Sequence, residues 1–348
     1  MTLPLDVLDI SADFEACNDR LYGEGLTDGL PVVPPTRARV ERMLAATHLA
    51  PDTNLGAFPP AYCDATVASI AVNAVMAGAL PEYFPVILAS IQALLDPQVN
   101  CYAINTTTHP VTAMLVVNGP IVQELKLNSG YNVFGQGWRA NQTIGRAVRL
   151  CMVNIGGGTP GHGDRATHGH PGKISFCIAE NEAASPFAPL HVRRGYMAEE
   201  STVTIFGAEA PHEINDHRST HAASVLTTCA DTFATIGNNN AYLSGGEIVL
   251  VLGPEHAQTI ARSGWDVRKV QEYLFAKARN PAAKLRAVDK LRHIDPRQIN
   301  IDDPDEMVPL VNSPEDVVVI VAGGAGKHSM AIHSFGITRS ATVAIERR

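Results

Sequence analysis

Hydrophobic and polar positions divide the chain into stretches of different character. Between Ala65 and Leu95 apolar residues run almost unbroken, with Ser69 and Asn73 among the few polar interruptions before Pro81. That pattern predicts two helices, about Ala65–Leu80 and Glu82–Leu95, separated at the proline. The first is apolar nearly all round and should be buried on several sides. Upstream, Asp28-Gly-Leu-Pro-Val-Val-Pro-Pro-Thr36 excludes a helix, because its prolines remove backbone donors and push the preceding residues to extended geometry. Thr36 is placed to cap a short amphipathic helix from Arg37 to Thr47, with Val40, Met43 and Leu44 on one face.

Further along, one pattern recurs three times. It begins at Ala113-Met-Leu-Val-Val-Asn-Gly119, at Glu247-Ile-Val-Leu-Val-Leu-Gly253 and at Val317-Val-Val-Ile-Val-Ala-Gly323. Each is a β-branched apolar run broken by a glycine and followed by about ten residues leading to a second small-residue stop. Four or five apolar residues in succession indicate a strand buried on both faces. A strand, a glycine turn and a short helix form the α/β unit. The expectation is therefore an α/β protein with a mixed, mainly parallel sheet built from such units. An N-terminal helical arm (1–60) would precede an α/β lobe carrying the polar site (61–235) and a second α/β lobe packed on it (236–348). The recurrence fits either internal duplication or ordinary α/β grammar.

Composition narrows the function class. Apolar residues make up 45% and charged residues 18%, which excludes a disordered chain. The formal charge of −8 and the lack of any Lys/Arg-rich run speak against nucleic acid as a partner. The acidic start lacks the basic region of a signal peptide, and the longest apolar stretch is shorter than the ~20 residues needed to span a bilayer. Six scattered cysteines without a CxxC read as reduced thiols, so a cytoplasmic, non-membrane protein is expected. The light surface charge suits a homo-oligomer.

Polar chemistry concentrates in residues 105–181. Gly135-Gln-Gly-Trp-Arg-Ala140 satisfies a dinucleotide fingerprint and opens a predicted helix, Asn141–Cys151. What precedes it is turn-like and not a buried strand, which argues against a nicotinamide or flavin site. The alternatives are tight packing around Trp138 or an oxyanion held by Arg139 and Asn141, with Asn128 nearby. Arg146 lies two helical turns after Arg139, on the same predicted face. The strongest signal is Gly161-His-Gly-Asp-Arg-Ala-Thr-His-Gly-His-Pro-Gly-Lys173, where glycines let His162, Asp164, His168, His170 and Lys173 converge. A divalent metal would take His162 and His168 among its ligands, although no standard metal motif is present. Without a metal, these histidines are hydrogen-bonded loop residues or general acids and bases.

Two polar runs, Thr106-Thr-Thr-His109-Pro110 and Asn238-Asn-Asn-Ala-Tyr-Leu-Ser-Gly-Gly246, enter the first and second apolar strands at matching places. Cys177 sits in an alternating, strand-like segment and reads as a core thiol, while Glu180 and Glu182 at its end are better general bases. Gly323-Gly-Ala-Gly-Lys-His-Ser329 fails the phosphate-loop pattern, having Val321 where a glycine is needed and His328 after the lysine. A glycine turn after a buried strand still presents amides to an anion, which keeps Lys327, His328 and Ser329 as substrate-binding candidates.

Asp28-GLPVVPPT, Asn132-VFGQGWRANQTIGRAVRL and His170-PGKISFCIAENEAASPF together resemble a bacterial family of about this length whose members occur near, or fused to, proteins with a Sec-Gly-Ser-Cys motif. No Gly-Ser-Cys occurs here, so the resemblance implies one coherent unit and carries over no selenol or thiol chemistry. The expected function is a hydrolase or lyase that cleaves a polar bond in a small anionic or carbonyl-containing molecule. Arg139, Asn141 and Lys173 would hold the anion, His170 or His109 would move protons, and Glu180 or Asp164 would orient them or act as base. The rival is a non-catalytic ligand-binding or accessory subunit of a redox system.

Overall fold

A computed structural model describes residues 7–10, 13–243, 245–290, 299–300 and 302–346. Its strands in chain order are β1 (Asn54–Phe58), β2 (Cys63–Thr66), β3 (Thr112–Asn118), β4 (Cys177–Ala179), β5 (Thr202–Ala208) and β6 (His212–Asn215). They continue with β7 (Ile248–Leu252), β8 (Arg279–Pro281), β9 (Met307–Pro309), β10 (Val317–Val321), β11 (His328–Ile332) and β12 (Ala341–Ala344). Two four-stranded sheets dominate, in the orders β12-β5-β3-β4 and β6-β11-β7-β10.

The two sheets pack face to face, and helices cover their outer faces. Side chains alternate along a strand, so Met114 and Val116 of β3 point to the other sheet and meet a cluster that includes Val249, Val251, Val318 and Ile320. Leu115 and Val117 point outward and join a core with Ile70, Ile87, Ile91 and Leu150 of the covering helices. On the far side Leu250 and Val319 pack with Leu226, Ile260 and Leu274. Each fully buried Leu or Phe in these layers contributes about 1.5–3 kcal/mol of transfer free energy. The apolar run at 65–95 becomes helix Val67–Met76, capped by Thr66 accepting from the Ser69 N–H at 3.1 Å, and helix Phe84–Leu94.

Three expectations need correction. The sheets are mixed, and only β3–β4 and β7–β10 pair in parallel; the other described strand pairings are antiparallel. Apolar strands looked parallel because both faces are buried, but burial here comes from a second sheet on one face and helices on the other. The glycine-turn unit is not the building block either. Gly253 leads into helix Pro254–Arg262 and Gly119 into the four-residue helix Ile121–Glu124, whereas Gly323 opens a loop to β11. The described residues before 60 do not stand apart as an arm, since Leu21, Val40, Met43 and Phe58 lie in the same core as helix Val67–Met76.

What repeats is a longer order. Helix Phe84–Leu94, short helix Cys101–Thr106, β3, helix Arg139–Asn154, β4 and β5 are matched by helix Ala222–Phe233, short helix Asn239–Leu243, β7, helix Val267–Lys277, β10 and β11. Equivalent helices cover equivalent strands: Phe84–Leu94 lies on β5 and β12, and Ala222–Phe233 on β11 and β6. Each half then sends its last strand to the other sheet, so β6 pairs with β11 and β12 with β5. The two departing segments cross as an antiparallel bridge, Ala208 opposite Ser334, with the Glu209 N–H donating to the His333 carbonyl at 2.8 Å. A boundary at 235 therefore separates helix Ala222–Phe233 and β6 from the sheet they complete.

Candidate functional site

The crossing gathers titratable side chains at the amino end of β3. Pro110 holds His109 in an extended approach to the strand, and the Thr108 carbonyl accepts the Thr167 N–H at 2.9 Å, docking the histidine-bearing glycine loop beside it. His109 Nε2 lies 2.8 Å from Glu209 Oε1, at the exchange point. The same carboxylate oxygen accepts the Asn239 N–H at 3.2 Å, and the Phe335 ring stacks on the imidazole at 5.2 Å. Burial pushes the Glu209 carboxyl up, but the hydrogen bond and charge of His109, with the Asn239 amide, bring it below the usual glutamate range. In the neutral His109 tautomer that donates Nε2–H to Glu209, the other ring nitrogen carries no proton. Its Nδ1 is then a bare acceptor, and that atom is buried without a partner.

His170 has the complementary tautomer. Its Nδ1 accepts the Gly172 N–H at 3.2 Å, so the proton of the neutral ring sits on Nε2. This Nε2 is buried beside the Ala208 backbone and completes no hydrogen bond of normal geometry. Only glycine fits at 172, because a Cβ there would lie 2.6 Å from the His170 ring. Phe176 meets the ring edge-on at 5.9 Å. Burial, with the charge of Lys173, lowers the His170 pKa and keeps the ring neutral near pH 7.

Behind the imidazoles lies a buried ion cluster. Lys173 Nζ donates to both Asp164 oxygens, at 2.9 and 2.7 Å, and Arg149 Nη2 donates to Oδ2 at 2.7 Å. Burial raises the Asp164 carboxyl, but the Lys173 hydrogen bond, the Ala166 amide and the two cations outweigh it, and the pKa falls below the ordinary aspartate value. Lys173 is lowered by burial, with Asp164 opposing. Two cations share one anion, and Arg149 Nη1 is buried without a partner. The centre thus combines two unpartnered imidazole nitrogens with two cations on the His170 side and the Glu209 carboxylate on the His109 side, the elements of acid–base chemistry on an anionic or carbonyl group.

His109, Asp164, His170 and Lys173 come together here; the other sequence candidates lie elsewhere. Glu180 accepts from Asn118 Nδ2 at 2.6 Å and the Leu190 N–H at 2.8 Å, and burial raises its pKa. It stands at the carboxyl end of the parallel pair, about 20 Å of strand from His109. Asn141 ties the Asn128 backbone to the Cys177 carbonyl. Arg139 is exposed and donates to the Gly78 carbonyl, and Arg146 grips Asp28 through two bonds at 2.7 and 2.8 Å. Arg139 and Arg146 are therefore each committed to a different partner within the protein. The Trp138–Arg139 turn begins helix Arg139–Asn154, while Arg149, ten residues on, is the part that reaches the ion cluster.

Lys327 donates to the His217 carbonyl, His328 pairs with Glu213 at 2.6 Å, and Ser329 bonds the buried His256 at 2.8 Å, all on the second sheet. His162 and His168 are exposed, and among the described residues no group of three or more His, Cys, Asp or Glu converges as a metal set. Burial lifts the Cys177 thiol to about 12. Glu209 and Arg149 escaped the sequence reading. Glu209 follows a strand with no motif, and Arg149 is one of several arginines on its helix. Comparison of the chain with models of protein families, with curated proteins and with solved structures finds no match.

Proposed function

We propose that the protein is a hydrolase or lyase acting on a small anionic or carbonyl-containing molecule at the His109–His170 centre. One observation carries this reading: two buried imidazole nitrogens without partners, His170 Nε2 a donor and His109 Nδ1 an acceptor in the tautomer that donates to Glu209, beside an Asp164–Lys173–Arg149 cluster with one more cation than anions. His109 Nδ1 takes a proton from an attacking water or from the substrate, and Glu209 stabilises the imidazolium that results. His170 Nε2–H donates to the oxygen on which charge develops, or protonates the leaving group, and regains its proton by exchange. Lys173 and Arg149 supply the field that favours an anionic substrate. The resemblance to the family found near Sec-Gly-Ser-Cys proteins is compatible with such a partner enzyme and names no substrate.

A panel of small carboxylates bearing amide, ester or β-hydroxyl groups, assayed with the wild-type chain and with His109→Asn and His170→Asn, tests the proposal. Turnover by the wild type that falls about 10²- to 10⁴-fold in each variant, with unchanged circular dichroism, is expected for the loss of a general acid or base. Turnover that survives both substitutions would remove the centre from the reaction.

A further inference from the structure

At the opposite end of the second sheet lies a cavity that the acid–base centre does not use. Strands β7 and β10 run parallel and finish side by side, Leu252 opposite Val321. Ligands of open α/β sheets bind beyond such carboxyl ends. Here the ends open into a cavity of about 1150 Å³, bounded by Gly323, Gly324, helix Pro254–Arg262, Tyr131 and Trp265. That volume suits an organic ligand and greatly exceeds a bare ion. Lys327, Arg262 and the carboxylate Glu255 line it, and among the described residues neither cation is paired with a carboxylate.

The other half shows what this position holds when it is filled. Beyond β4, the residues one and three places past the strand are Glu180 and Glu182; beyond β10 they are Ala322 and Gly324. Glu182 Oε1 accepts the Gly119 N–H at 2.8 Å and Asn118 Nδ2 at 2.9 Å, so the first half plugs its strand ends with its own carboxylates. The second half has no carboxylate at either place and presents a lysine and an arginine instead. The Tyr131 ring forms the cavity wall there, packed so directly on Gly324 that a Cβ would be 2.1 Å from it. Tyr131 is itself 67% exposed.

We infer that this cavity binds a phosphorylated ligand of nucleotide size, its phosphate held by Lys327 and Arg262 and its planar part against the exposed Tyr131 ring, with Trp265, packed on Tyr273 and under Lys269 Nζ, at the edge of the site. The chain has two tryptophans, Trp138 and Trp265, so Trp138→Phe leaves Trp265 as the sole reporter. Titration of full-length Trp138→Phe protein with AMP should change the Trp265 emission saturably. Adenosine, lacking the phosphate, should bind at least tenfold more weakly, and inorganic phosphate should compete only at much higher concentration. Adding Lys327→Ala or Arg262→Ala should weaken AMP binding about tenfold each, with the far-ultraviolet spectrum unchanged. His109→Asn should leave AMP binding as it was, which separates this site from the acid–base centre.

No saturable response to AMP, ADP or pyrophosphate up to millimolar concentration, confirmed by the absence of a thermal shift in the unsubstituted protein, overturns the inference. Equal affinity for AMP and adenosine, or binding indifferent to both cation substitutions, does so as well.

Discussion

The two halves share an order of helices and strands yet differ in chemistry at both ends of the sandwich. At the crossing, Ala208 and Ser334 pair across the bridge, so the residues that follow them, Glu209 and Phe335, occupy equivalent places. One gives the carboxylate that binds His109 and the other the ring that stacks on it. Three residues before the first parallel strand stands His109; three before its counterpart β7 stands Gly245. A repeated scaffold has thus placed the paired histidine in one half and the ring that stacks on it in the other. The strand exchange is what makes this possible, because it brings the two departing segments into contact.

The largest expected effect lies in that asymmetry. His109→Asn and His170→Asn should each lower turnover about 10²- to 10⁴-fold, while His328→Asn, at an exposed pair in the second half, should leave it within twofold. If His328→Asn proved as damaging as the other two, the division of labour between the halves would be lost. Next in size is a stability effect. Asp164→Ala leaves Lys173 and Arg149, both nearly buried, without their shared anion. Removing one partner of a buried ion pair costs about 3–5 kcal/mol, so denaturant titration should show a large loss. Asp164→Ala combined with Lys173→Met should recover part of it, and a loss below about 1 kcal/mol in the single variant would mean that the cluster is open to water.

Much of this asymmetry was legible in the residue string, and the missing part has a physical reason. The polar runs before β3 and β7 fall on the equivalent short helices Cys101–Thr106 and Asn239–Leu243 and the residues that follow them. His109, Asp164, His170 and Lys173 stood out because reactive side chains were packed among glycines. Glu209 could not stand out, because its meaning comes from a strand that leaves one sheet for the other, and exchange has no local signature. Arg139 and Arg146 misled through a sound rule, since residues seven apart do share a helix face. That face is covered by the Asp28–Val33 segment, which takes Arg146 as its anchor. The parallel sheet was an overreading of burial: β5 is as fully buried as β3 and runs against it.

Acid should weaken the fold through both halves. Burial lowers the pKa of His170 at the crossing and of His256 and His333 around the second sheet. Their folded values lie below the unfolded value of about 6.5, so the unfolded chain binds more protons in that interval. Their stability contribution is complete above about pH 6.5 and is lost as pH falls toward the folded values. Glu180, whose folded pKa is raised, opposes this at lower pH, whereas Glu209 and Asp164, both depressed, reinforce it below about pH 4. Tm should therefore drop between pH 7.5 and 5.5, and His170→Asn should flatten the drop. A Tm independent of pH over that range would mean that the three rings are protonated at little cost, and that His170 is not held neutral.

The smallest effect discriminates most sharply between the two ways of reading the first half. A residue that binds the reacting anion would be indispensable, and the Trp138–Arg139 turn had the composition for it. Arg139 instead donates two bonds, at 3.2 and 3.0 Å, to the carbonyl of Gly78, just past the end of helix Val67–Met76. Its side chain is exposed, so water replaces the lost bonds and the cost should be no more than about 0.5–1 kcal/mol. Arg139→Ala should accordingly lower Tm by a few degrees at most and leave kcat/KM on any substrate of the panel within twofold. Lys173→Ala, acting through the ion cluster beside His170, should reduce it by more than tenfold. An Arg139→Ala variant that folds normally and loses turnover would move the anion-binding role back to the tryptophan–arginine turn, and with it the catalytic centre.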